Sequence, residues 1–430
     1  MEPFSLPSTL LLGAASSAFQ IEGGDTGHSW HRWSLKPGRI RDGSSCTVAC
    51  DHWNRVAEDT ALMKTLGLQT CRLGIEWSRV EPAEGRFDEG AIAHYRDEIT
   101  RMRKAGIVPL VTLHHFSNPL WMEDSGSWLD YAAADRFERY VKRMVRDLGD
   151  LVADWVTINE PNVYLYQSFV EGSFPPGTHS IRSYMKGARV MIRAHMRAYA
   201  AIHGLRREMG FDDTMVGVAH HLRLFDPLRG TFMERKLSGL LSRLFQDIFL
   251  EGMSSGRHLL PVGIGHPSGK GNFQDFIGIN YYSRDMISAR PGKIMRVREG
   301  APVNDLGWEI YPEGLYRVCR DAYWRFRRPI YNTENGTCDI QDAFRARYII
   351  DHLRQVKRLL NDGVDVRRYY HWSLMDNFEL AEGLRYRFGL VHVDFDTQKR
   401  TIKKSGKLYA EIIAKRAVTK KMIAAHSDEY

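Results

Sequence analysis

Short apolar runs, rich in β-branched residues, recur along this chain with helical stretches between them. The runs cover residues 10–14, 69–73, 107–113, 155–158, 215–219, 276–279, 329–331 and 369–372. None alternates strictly between apolar and polar positions. That pattern suits parallel strands covered on both faces. Each gap is long enough for a crossover helix. Residues 54–66 carry Val56, Ala57, Thr60, Met63 and Lys64 at helical spacing and stop before Gly67. Residues 135–148 place Phe137, Tyr140, Val141, Met144 and Leu148 on one face and stop at Gly149. A third helix is expected over 341–360, ending near Gly363. Eight strands alternating with helices predict a single (β/α)8 barrel with extended βα loops. A doubly wound open sheet is the alternative, but no glycine-rich dinucleotide fingerprint follows the first run.

A barrel of this kind carries its active site at the C-terminal ends of its strands. The residues that end the runs therefore matter. In order they are Gln20 and Glu22, Arg72, His114-His115, Asn159-Glu160, His220-His221, Asn280-Tyr281-Tyr282, Glu334-Asn335, and His371-Trp372 with Glu379 beyond. Amides, imidazoles and carboxylates hydrogen-bond neutral hydroxyls, and aromatic faces cover the apolar face of a sugar ring. Two principal carboxylates, Glu160 and Glu334, are what glycoside hydrolysis requires. Glu334 sits in "YNTENG", where Asn335-Gly336 also reads as a turn and Asn335-Gly336-Thr337 as a glycosylation acceptor. The histidines lack metal-site spacing, and neighbours on a strand point to opposite faces, so no metal is expected.

The 430 residues have ordinary globular composition, 43% hydrophobic and 26% charged. Net charge is +8 with a pI near 9.1. The basic residues are dispersed among acids, so no nucleic-acid partner is expected. No 18-residue apolar run is present, so neither a membrane span nor a membrane partner is expected. Met1 to Pro7 lacks the cationic start of a signal peptide, and the five cysteines read as free thiols. Both point to the cytoplasm. The acceptor pattern at Asn335 is then silent.

"LGAASSAFQIEGG", "VTLHHFSNPLW", "WVTINEPNVY", "FIGINYYS", "LGWEIYPEGL", "IYNTENG" and "HWSLMDNFELAEGLRYRFGLVHVDF" together resemble the family 1 glycoside hydrolases. Seven motifs fall in the family's order from about residue 10 to about 410, leaving a C-terminal tail from about 415 to 430. The resemblance implies one domain over the whole chain, a retaining exo-β-glycosidase of β-glucosidase type, and no cofactor. It implies Glu160 as general acid/base and Glu334 as nucleophile. Arg72 and Tyr282 would hold the nucleophile. Gln20, His115, Asn159 and Glu379 would bind the hydroxyls of the cleaved sugar, with Trp372 as its stacking floor. Asn280 would stand near the acid/base, and Trp308 would line the leaving-group side. The substrate would be a small β-glycoside or oligosaccharide.

Two positions depart from the family pattern. Leu380 follows Glu379 where the family very often has Trp, and Phe116 follows His115 where many members have Trp. Both bear on sugar preference, which keeps β-galactosidase and β-fucosidase activities open. A transglycosidase is a second alternative. A non-catalytic glycan-binding barrel is a third, opposed by the presence of both carboxylates. Residues 229–275 hold an amphipathic basic stretch that fits a lid, a homo-oligomer contact or a surface loop equally well.

Overall fold

The computed structural model describes residues 2–290 and 292–430. Eight parallel strands close a barrel. They are β1 (Leu11–Ala15), β2 (Thr70–Gly74), β3 (Val108–His114), β4 (Asp154–Asn159), β5 (Met215–His221), β6 (Ile277–Tyr281), β7 (Ile330–Asn335) and β8 (Val366–Trp372). Each pairs with its chain-order neighbours, and β8 returns to β1. Every apolar run expected as a strand is a barrel strand. Several extend further than their apolar letters, because polar residues at the C-terminal ends keep the ladder. β5 runs through His221 and β7 through Asn335.

The strands divide two apolar regions. A large one lies between barrel and helices and includes Trp77, Trp128, Trp155, Phe137 and Ile349. A small one fills the barrel with Ala15, Leu110, Val156, Ala219, Phe276 and Tyr331. Residues facing either side are therefore apolar, and this removes the alternation. Inside the barrel, Thr70 and Tyr370 share a hydrogen bond of 2.8 Å. Arg368 pairs with Asp154 below them.

The expected helices are present as His52–Thr65, Ala133–Leu148 and Arg345–Asn361. The last starts four residues later than its apolar pattern. The Asp339 carboxylate accepts from the backbone N–H groups of Ala343, Phe344 and Arg345 at 2.8–2.9 Å, which holds the preceding residues in a turn. Residues 415–430 are docked, not trailing. Ala417–Val418 pairs with Phe4–Ser5, and Tyr430 donates to Asp351 at 2.7 Å.

The segment between β5 and β6 is a long excursion. Leu224–Pro227 pairs with Arg284–Ile287, which pairs with Met295–Arg296 in a small outer sheet. Helix Phe232–Ser242 packs on this sheet and continues through a π-helical turn, Arg243–Asp247, into Ile248–Ser255.

Close strand packing makes one glycine indispensable. A Cβ on Gly13 in β1 would lie 1.9 Å from the Thr70 carbonyl oxygen. Gly239 lies in the outer helix and a Cβ there meets nothing within 4 Å. Gly13→Ala is expected to lower stability by about 1–3 kcal/mol or more. Gly239→Ala is expected to raise it by about 0.4–1 kcal/mol. Urea midpoints of the two variants check both signs.

Candidate active site

The C-terminal ends of the strands surround a cavity of about 320 Å³. Glu160 and Glu334 both line it, with Gln20, His115, Tyr282, Trp308, Trp372 and Glu379. Arg72, Asn159 and Asn280 do not line it. They are fully buried behind the carboxylates and act on them by hydrogen bonds.

Glu334 comes from the last turn of β7, where the register against β6 shifts between Asn332 and Glu334. Such an irregularity re-aims a side chain at a strand end. Its Oε1 pairs with the Arg72 guanidinium, and its Oε2 accepts from the Tyr282 hydroxyl at 2.5 Å. Burial pushes the Glu334 carboxyl up to about 7. The Arg72 charge opposes that, the Glu160 charge adds to it, and the Tyr282 and Arg72 hydrogen bonds draw it down.

Glu160 follows β4 in left-handed conformation, with φ 42°. Its N–H donates to the Ala219 carbonyl at 2.7 Å, and Pro161 opens a short helix behind it. A left-handed backbone is costly for a residue with a Cβ, and these contacts hold it in place. Glu160 Oε1 accepts from Asn280 Nδ2 at 2.8 Å and lies 3.0 Å from His221 Nδ1. The two carboxylates thus have different company. A guanidinium and a phenol donate to Glu334, whereas an amide and an imidazole meet Glu160. The charged donor favours the ionised form of Glu334, against the push of burial.

One hydrogen-bonded chain joins them. Arg72 donates to Asn159 Oδ1 at 2.6 Å, and Asn280 Nδ2 donates to the same oxygen at 3.0 Å and to Glu160. With Asn159 Oδ1 occupied, its Nδ2 donates to His115 Nε2 at 3.0 Å. That leaves His115 Nδ1 as the protonated nitrogen. Burial and the nearby Arg72 charge hold this imidazole well below its usual range, so it is neutral.

Several buried polar atoms around the cavity have no partner among the described residues: Gln20 Oε1, His115 Nδ1 and Glu379 Oε2. Native interiors rarely leave such atoms unpaired. A ligand with many hydroxyls satisfies them. Burial, with Glu334 and Glu382 nearby, pushes Glu379 up to about 8. A carboxyl that retains its proton donates as well as accepts.

The model of glycosyl hydrolase family 1 matches residues 3–259 and 270–418. β-Glucosidase A of Thermotoga maritima is 30% identical over 440 residues, covering 95% of this chain and 97% of that protein. The chain belongs to glycosyl hydrolase family 1. β-Glucosidase 47 of Arabidopsis thaliana is 33% identical, over 96% of this chain and 85% of that one. Among solved structures, the T. maritima β-glucosidase in complex with glucoimidazole has a TM-score of 0.90 at 29% identity, covering 96% and 99% of the two chains. A β-glycosidase from Pyrococcus horikoshii has a TM-score of 0.89 at 33% identity, covering 99% and 98%.

For this family 1 chain, the ring of strand ends is sorted by the structure. His114 turns away to Asn118 at 2.9 Å, while its neighbour His115 faces the cavity. His220 turns to Gln274 and His221 to Glu160. Glu22 points outward to Arg79 and Tyr95. Asn159 was expected on the sugar hydroxyls. Its oxygen accepts from Arg72 and Asn280, so it also joins the surroundings of the two carboxylates.

The Asn335-Gly336 pair is not a hairpin tip. A Cβ on Gly336 would lie 1.9 Å from the Trp372 carbonyl oxygen, so close approach of β8 demands glycine there. Asn335 is fully buried and bonded to Tyr281, Tyr348 and Tyr369 at 2.8–2.9 Å, so the folded protein offers no glycan acceptor there. His221 was visible as a strand end but not singled out as a partner of Glu160. Phe245, Arg41 and Glu382 also line the cavity. They come from loops and the π turn, where no local motif marks them. Among the described residues no group of three or more potential metal ligands occurs.

Removing either donor to Glu334 is expected to raise its pKa, and Arg72→Met more than Tyr282→Phe, because Arg72 contributes a charge. Carboxyl titration by carbon-13 NMR of glutamate-labelled protein checks the order.

Proposed function

We infer that this chain is a retaining exo-β-glycosidase of β-glucosidase type. One observation carries the reading: two buried carboxylates share a cavity, one paired with a guanidinium and the other with an amide and an imidazole. A nucleophile must be ionised and a general acid must be protonated. The β-glucosidase names of the relatives support the substrate class.

The proposed reaction has two steps. Glu160 gives its proton to the glycosidic oxygen while a Glu334 oxygen bonds to the anomeric carbon and the glycosidic bond breaks. Esterification removes the Glu334 charge. Glu160, now ionised, takes a proton from water, which attacks the anomeric carbon and releases Glu334. The Tyr282 hydroxyl stays protonated, because burial and the charges of Glu334 and Glu160 push its pKa well up. It remains a donor to the nucleophile throughout.

Gln20, His115 and Glu379 are proposed to bind sugar hydroxyls through their unpartnered atoms. Trp372 supplies the apolar floor, held by a stacked His115 at 5.7 Å. Trp308 lies toward the leaving group, near Tyr282 and Phe388. Leu380 lines the cavity with φ 55°, so its position is held but it carries no ring and no donor. One fewer hydrogen bond to the sugar should relax discrimination between epimers. We place the protein in the cytoplasm, where five buried free cysteines are compatible with a reducing environment.

Glu334→Gln is expected to lower nitrophenyl β-glucoside turnover by roughly 10⁴-fold or more. Wild-type rates in that variant would defeat the reading. Glu160→Gln is expected to retain activity only on substrates with good leaving groups. Its kcat/KM on such a substrate should keep an acid limb that rises as Glu334 ionises near pH 7, because Glu334 remains the nucleophile. Leu380→Trp is expected to sharpen discrimination, widening the rate ratios among glucoside, galactoside and fucoside in favour of one sugar, read from a panel of nitrophenyl glycosides.

A further inference from the structure

Two exposed elements flank the cavity mouth, and both combine apolar side chains with unpaired cations. The first is helix Phe232–Ser242, whose continuation delivers Phe245 to the cavity wall. This helix is inverted relative to an ordinary surface helix. Glu234 and Ser238 face inward, and Glu234 is bound by Arg229 and the Thr231 cap. Phe232, Met233 and Leu240 face outward, 71%, 65% and 50% exposed. Arg235, Lys236 and Arg243 share the outer face, and none has a carboxylate partner among the described residues. Lys236 lies over the Phe232 ring at 5.4 Å.

The second element is the outer strand around Met295, which also lines the cavity. Ile294 and Val297 are exposed beside it. Arg290, Lys293, Arg296 and Arg298 interleave with them, again without carboxylate partners among the described residues. The two elements belong to one unit, since the helix packs on the sheet of which Met295–Arg296 is the edge. Between them they hold most of the chain's net charge of +8. In sequence the segments are about fifty residues apart, so the charge looks dispersed.

We propose that this face docks the protein on an anionic lipid surface, with Phe232, Met233, Leu240, Ile294 and Val297 entering the interface and the cations meeting the headgroups. Apolar insertion or a polybasic patch alone gives marginal binding, and the two together give stable association. A second copy of this chain is a poor occupant, because a two-fold contact would set cations against cations. Nucleic acid fits less well, because Phe232 is the single ring on this face, and Met233, Leu240, Ile294 and Val297 neither stack on bases nor pair with phosphates. No helix among the described residues is long and apolar enough to cross a membrane, so the contact is peripheral.

Sedimentation of the full chain with vesicles tests this. Phosphatidylcholine vesicles with and without phosphatidylglycerol are the probes, and an RNA duplex is the competitor. The chain is expected to pellet with the anionic vesicles only and to be released by salt. Phe232→Ser/Met233→Ser/Leu240→Ser and Arg235→Glu/Lys236→Glu/Lys293→Glu should each weaken partitioning roughly tenfold or more. Both variants should keep wild-type nitrophenyl β-glucoside turnover, which also shows that they fold. No pelleting at low salt would overturn the proposal. So would binding that the serine variant leaves intact, or RNA binding as tight as vesicle binding. The glycosidase reading is tested separately by turnover without vesicles.

Discussion

The buried pairing of Arg72 with Glu334 is the constraint around which the site is organised. A guanidinium removed from water costs several kcal/mol unless its donors are used, and breaking such a pair leaves a stranded charge. Arg72 on β2 is fully buried, and its donors are taken by Thr112 on β3, Asn159 on β4, and Glu334 and the Thr333 carbonyl on β7. One side chain thereby ties four strands together at the end of the barrel. The same hydrogen bonds determine which way the Asn159 amide faces, which nitrogen of His115 is protonated and how Asn280 reaches Glu160. The different partners of the two carboxylates descend from this arrangement.

Aiming the carboxylates requires departures from regular strand geometry. β4 and β7 each lose register near their C-terminal ends, just before Glu160 and Glu334. Glu160, Phe116 and Leu380 all adopt positive φ. These departures lie at the rim of the cavity, where they set side-chain direction at local cost. The regular lower barrel, with its Arg368–Asp154 pair and apolar filling, supplies the rigidity that holds them.

The rim also joins segments distant in sequence. Asp42 accepts from the backbone N–H groups of Leu384 and Arg385 at 2.7 and 3.0 Å, and Arg41 pairs with Glu382 at 2.7 Å. The loop that carries Glu379 and Leu380 is anchored in this way to the loop after β1. The excursion between β5 and β6 forms the opposite wall through Phe245, whose ring lies 6.0 Å from that of His221. Its outer surface exposes apolar and basic groups together.

The order of strands and helices was legible in the sequence, because a strand buried on both faces must be apolar and a crossover helix must show its own period. Strand-end position was enough to mark both carboxylates and most of their neighbours, since a parallel barrel turns those ends toward one mouth. Tertiary structure decided the rest. Alternation along a strand separated His115 from His114 and His221 from His220, but only packing determined which of each pair faced the cavity. Asn159 bridges Arg72 and Asn280, and those hydrogen bonds depend on where Arg72 reaches. Gly336 reads as a turn residue in isolation. It is needed because Trp372 approaches it from another strand. The basic charge looked dispersed because its two segments meet only through the outer sheet. Local sequence determines what each segment can form, whereas long-range contacts decide which of its polar groups share a site.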